Sequence, residues 1–178
     1  MSKVENKEVQ EIELRDNKLI QGGMAIVMPV ISPEEAKKSW DAYENMKAVI
    51  KTPSDFMVIE GKAFLKKSYW RKMATFFNLD VEIVEEDNEV IGKTFAYHFT
   101  VKATAPNGRS AIGTGSCDAY EGAVLKEGTY YKYNKINGWQ LAAARTIHVI
   151  RTTAETRATN RAISNLIGGG EVSAEEMI

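Results

Sequence analysis

Residues 94–117 constrain this chain more than any other stretch. In TFAYHFTVKATA (94–105), Phe95, Tyr97, Phe99, Val101 and Ala103 fall on one side of an extended backbone. Ala96, His98, Thr100, Lys102 and Thr104 fall on the other. Sustained alternation of this kind reads as a strand with one buried face. Asn107-Gly108 follows, a signal for a two-residue hairpin turn, and RSAIGTGSC (109–117) returns as the partner strand. Gly113 and Gly115 share one face of that strand. Two bare positions imply a sharp bend or the close approach of another backbone. VEIVEED (81–87) is β-rich at its start and supplies a third strand.

The stretch RTIHVIRTTAETRATNRAISNLIGGG (145–170) has the other period. At 100° per residue, Ala154, Arg157, Arg161 and Asn165 share one helix face, and Val149, Thr152, Thr156, Ile163 and Leu166 the opposite one. The expectation is that the second face packs on a core and the first presents two arginines one turn apart. Guanidinium groups so spaced suit phosphates or carboxylates. Glu155 is the single acid, so local pairing cannot neutralise the row. Gly168 to Gly170 supply the left-handed conformations that end a helix.

Residues 1–22 read as an acidic, mobile tail and 23–178 as a single domain. GMAIVMPVI (23–31) fits an edge strand, since Pro29 excludes a central one. Ser32-Pro33-Glu34-Glu35 is a helix start with a capping box. Ala36, Trp40, Tyr43, Met46 and Ile50 then recur at helical spacing until Thr52-Pro53. Ile59 to Lys62 reads as a turn. A second helix spans about Lys66 to Phe77, with Trp70 assigned to core rather than to stacking on bases. The segment 121–138 reads as a loop, either a nucleic-acid contact or a surface hairpin. Ser173 to Glu176 opens a short terminal helix. The fold class is therefore α+β: a three-stranded antiparallel β-meander packed with a long C-terminal helix (a β-β-β-α core), preceded by two helices.

The 178 residues are 44% hydrophobic and 26% charged, as in a globular domain. No apolar run approaches the ~20 residues that span a bilayer, and the N-terminus is too polar for a signal peptide. Cys117 is the single cysteine, which excludes an internal disulfide and fits a cytoplasmic setting. No metal site, cofactor loop or catalytic constellation emerges. Phosphate-cradling, GxSxG and HExxH motifs are absent, so no catalytic residue, metal or cofactor is expected. His98 and His148 read as structural. Net charge is -1, but it is partitioned. Lys62, Lys66, Lys67, Arg71 and Lys72 give 62–79 a charge of +5. Six acids give 80–89 a charge of -6, and 130–165 carries +5. The two basic segments form one stripe if the fold brings them together. The acidic run is expected at a hairpin tip or against a neighbouring subunit.

Several pieces resemble a known family. IEGK (59–62) precedes the helix KKSYWRKMATFFN, GTGS (113–116) lies on the third strand, and AETRATNRAISNLIG (154–168) forms the last helix. Over roughly 55–177 the chain resembles the DNA-binding core of the Rad-fifty-two superfamily of single-strand annealing proteins. Asn160-Arg161-Ala162 lies over the family's Lys-Arg-Ala, and a further family arginine falls on Ser164. Arg161 alone carries over directly. The resemblance implies ATP-independent annealing by rings or filaments that hold single-stranded DNA by its backbone in a basic groove, in recombination and repair or viral replication. The expected phosphate contacts are Arg157, Arg161, Arg151, Lys66, Lys67, Arg71, Lys72 and Asn160, with Lys132 and Lys135 from the 121–138 segment. The expected partners are single-stranded DNA and further copies of the chain, at a nucleoid or viral replication site, with no membrane. Two alternatives stay open: a protective single-stranded DNA- or RNA-binding module, and an oligomeric structural protein whose arginines serve subunit interfaces.

Overall fold

The computed structural model describes residues 31–59, 61–91 and 94–168. The expected tail, the edge strand up to Val30 and the helix at 173–176 lie outside the described residues. Contacts divide the chain into two units, the first ending at Glu44 and the second beginning at Asn45.

Helix α1 (Pro33–Ile50) starts at its capping box. The Ser32 amide donates to Glu35 Oε2 at 3.0 Å, and the Glu35 amide donates to Ser32 Oγ at 3.2 Å. These bonds satisfy two backbone donors at the helix start and hold the Glu35 carboxyl below its usual range. The helix stops before Thr52-Pro53, as proline restricts the residue preceding it. Of its aromatic residues Tyr43 is buried, while Trp40 stays exposed.

A 3-10 turn (Pro53–Asp55) leads into a hairpin of β1 (Phe56–Ile59) and β2 (Lys62–Leu65). The expected turn is there, with Gly61 at φ +80°. Its flanking strands are additional elements, each four residues and too short to show a period. Helix α2 (Lys67–Phe76) follows. Tyr69, Trp70 and Met73 on it are fully buried, so Trp70 is core.

The main sheet has the order β3-β4-β5, from β3 (Asp80–Ile91), β4 (Thr94–Thr104) and β5 (Ser110–Asp118), all antiparallel. The acidic run lies along β3, an edge strand, rather than at a hairpin tip. A register shift sits between Ile83 and Glu85. It returns Glu86 to the face that carries Phe99 and Val101, because paired residues share a face. The β4–β5 connection also differs from expectation. The Ala105 amide donates to the Arg109 carbonyl, and only Gly108 has positive φ, +82°. A primed two-residue turn would need Asn107 left-handed as well. Pro106, with φ fixed near -65°, starts an ordinary turn one residue earlier, so the loop closes over three residues.

Of the two forms expected for 121–138, the surface hairpin is the one present, as β6 (Val124–Lys126) and β7 (Thr129–Asn134), and β8 (Gly138–Leu141) extends it to a small three-stranded sheet. Helix α3 (Ile147–Ile167) then crosses β4 and β5. Thr146 Oγ1 caps it by accepting from the Val149 amide, and Gly168 ends it at φ +76°. Phe99, Val101 and Ala103 of β4 join Cys117, Ile150, Ala154, Ala158 and Ala162 in the core. The fold is α+β, with the β-β-β-α unit as expected. No described helix is long and apolar enough to cross a membrane.

Candidate nucleic-acid interface

The arginine row lies against the sheet, with Ala154 and Arg157 buried, Arg161 partly exposed and Asn165 exposed, which corrects the expected presentation of both arginines to solvent. A Cβ at Gly113 would strike the backbone of Ala158 and Ala162, and one at Gly115 the backbone of Ala154 and Ala158. The bare face of β5 therefore receives the helix backbone itself, and the stripe Ala154, Ala158, Ala162 fits against it. Arg157, Arg161 and Asn165 flank that stripe and reach the free edge of β5. Arg157 donates to the Ser116 carbonyl at 2.6 Å, Arg161 to the Thr114 carbonyl at 2.7 Å, and Asn165 to the Ile112 carbonyl at 3.0 Å. Three side chains one turn apart thus satisfy three alternate carbonyls of an edge strand that pairs only with β4 among the described residues. Of the opposite face, Thr156 and Ile163 are buried while Val149 is exposed.

Arg157 is 5% exposed and its guanidinium also donates to Glu121 Oε1 at 2.6 Å. The second Glu121 oxygen accepts from Arg145 at 3.0 Å and lies 3.4 Å from Cys117 Sγ. Burial alone would raise the Glu121 pKa. The hydrogen bond and charge of Arg157, with Cys117 and Arg145 behind them, outweigh that and lower it. Burial, and then the Glu121 charge, push the Cys117 thiol up, the opposite of an activated thiolate.

Other expected contacts have internal partners too. Arg151 binds Glu86 in a bidentate pair at 2.6 and 2.7 Å, with Glu155 at 3.9 Å. One arginine of α3 and the acidic run therefore meet within one chain. Lys72 donates to Asp55 at 2.6 Å. Asp55 is 1% exposed and also accepts from Ser68 Oγ and from the Thr52 amide and hydroxyl. Burial opposes ionisation of Asp55, but Lys72, Thr52 and Ser68 hold its pKa far below the carboxylate range. Lys66 Nζ donates to the Ser54 carbonyl at 3.3 Å. Asn160 is 1% exposed, so it is withdrawn from the expected contacts.

Helix α2 packs against α3, and Lys67 Nζ donates to Thr156 Oγ1 at 2.9 Å. The two basic segments of the sequence are thereby adjacent. Arg71, one turn beyond Lys67, is exposed and has no side-chain partner among the described residues. Arg161 keeps partial exposure. Lys132 and Lys135 are exposed on and beside β7.

Glu121 and Asp55 are the residues that sequence reasoning missed. Asp55 had a signal: Thr52-Pro53-Ser54-Asp55 repeats the hydroxyl-proline-x-acid pattern of Ser32 to Glu35. Glu121 had none, being one acid in an irregular stretch. Among the described residues no group of histidine, cysteine and carboxylate side chains could hold a metal ion. No protein-family model matches the chain, and no curated protein matches it.

Proposed function

We propose that this chain binds single-stranded DNA by its phosphates and anneals complementary strands without ATP. The observation that carries the reading is the contact of Lys67 with Thr156, which brings the basic segments 62–79 and 130–165 side by side. Lys67, Arg71 and the exposed part of Arg161 are the leading phosphate contacts, with Lys132 and Lys135 beyond them. Arg157, Arg151, Lys72 and Asn160 serve the fold that holds those groups in place. Phosphate contacts of this kind read no sequence and weaken steeply with salt.

Several of the basic groups first expected at the site are engaged within the chain, so the reading includes assembly. Repetition of the site around a ring or filament raises affinity through linked weak contacts. Strand β3 is exposed from Asp80 to Val90 and pairs only with β4 among the described residues, leaving an edge on which assembly can build. The proposed setting is recombination and repair or viral replication, in the cytoplasm at a nucleoid or viral replication site. The internal Arg151–Glu86 pair weighs against the rival reading, in which the arginines pair with a neighbour's acidic run.

The test is the pairing rate of two complementary labelled strands, followed by energy transfer without nucleotide. Acceleration well above the protein-free rate is expected. Strand binding without acceleration would reduce the protein to a protective module.

A further inference from the structure

Beside the segment 119–121 the small sheet leaves a recess of about 250 Å³. It is lined by Tyr120, Glu121, Lys132, Asn134, Gln140 and Arg145, among others. Lys132 and Gln140 are direct cross-strand partners, so both project from one face of the small sheet. Tyr120 is held by a parallel stack on Tyr130, with ring centroids 4.0 Å apart. Glu121 is already neutralised by Arg145 and Arg157, so the recess does not repel a phosphate-linked group. Its lining combines small apolar residues, Ala119, Ala123 and Ala142, with amide and guanidinium groups.

We propose that this recess holds one unstacked nucleobase of the bound strand, with Lys132 on the adjoining phosphate. The inference rests on the single-strand binding reading above and adds a base contact to it. The volume lies just below the range of pockets for drug-sized ligands, which gives room for one base. The chemistry is that of base recognition in single strands: an aromatic wall, and amide groups for a hydrogen-bonding edge. Gln140 offers both a donor and an acceptor, so it can match any base through one edge.

The test compares two labelled strands of equal length by fluorescence anisotropy: an oligothymidylate and an abasic deoxyribose-phosphate chain. Wild-type protein is expected to prefer the base-bearing strand by about tenfold, a modest stacking contribution. In Gln140→Ala, and in Ala143→Trp, which fills the recess without removing a polar group, the ratio of affinities should approach one. Equal wild-type affinity for the two strands would overturn the recess while leaving phosphate binding intact. A tenfold preference that survives in both variants would place the base contact elsewhere and also overturn it. Failure to bind either strand would remove both readings together.

Discussion

The two edges of the main sheet are handled in opposite ways. At β5 the outward carbonyls of Ile112, Thr114 and Ser116 accept from Asn165, Arg161 and Arg157 of the overlying helix. At β3 every residue from Asp80 to Val90 is exposed, and among the described residues the strand pairs only with β4. The first edge is closed by side chains of its own chain. The second is guarded by acids, of which Glu86 is tied back by Arg151. Two arginines of the last helix thus serve the sheet edge. The proposed phosphate contacts therefore draw on α2 and the small sheet, with only the exposed part of Arg161 from α3.

Breaking the closed edge should have the largest effect. Gly115→Ala would place a methyl group into the backbone of Ala154 and Ala158, where neither neighbour can yield. A loss of about 3 kcal/mol, the upper end of overpacking costs, is expected in urea unfolding. A near-native midpoint would mean that the helix does not lie on the glycines. Glu121→Ala should cost a similar ~3 kcal/mol, since it removes the carboxylate that balances the charge of buried Arg157. Arg157→Ala should likewise lower stability before it lowers DNA affinity. A variant that folds as wild type but loses binding would contradict the edge-closing role.

The acid response sharpens the account away from both edges. Asp55 has a lowered folded pKa, so its contribution is present above the unfolded value of ~3.9. That contribution is lost as pH falls through the lower, folded value. Asp55→Asn should therefore cost about 2 kcal/mol near pH 7, the scale of hydrogen bonds to a charged group. The deficit should shrink as pH drops below about 4. A deficit that stays constant down to pH 2 would show that the charge is not what matters. The smallest effect on stability belongs to Arg71→Ala, expected within ~0.5 kcal/mol of wild type because the residue is exposed.

Much of the fold was legible because long elements carry clear periods. The alternation from Phe99 to Ala103, the Ser32 capping box and the stop at Gly168 appear where local chemistry puts them, whereas at the start of the strand Phe95 is exposed and Ala96 is buried, the reverse of the expected faces. The strands of the small sheet and of the β1–β2 hairpin were not legible, being three to six residues each. The inward reach of Arg157 and Arg161 is not legible in the sequence, for a specific reason. Arginine looks solvent-facing on a helical wheel, and the wheel holds no record of a sheet edge with unsatisfied carbonyls. The signals were present separately: Gly113 and Gly115 on one strand face, and alanines at i, i+4 and i+8 on the helix. Only their contact in three dimensions shows that they belong together. The partners of Arg157 and Lys72 were hidden likewise, 36 and 17 residues away in sequence.

The most direct test of the central claim is the salt dependence of single-strand binding by the double variant Lys67→Ala, Arg71→Ala. A labelled strand of about 40 nucleotides would be followed by anisotropy from low to moderate salt, beside wild type and an unfolding control. The account predicts salt-sensitive wild-type binding. The variant should fold, bind more weakly, and have a slope of log affinity on log salt that is shallower by roughly 1.4, about 0.7 per lost phosphate contact. Equal slopes and affinities for the two folded proteins would contradict it, and would move the phosphate contacts away from the junction of α2 and α3.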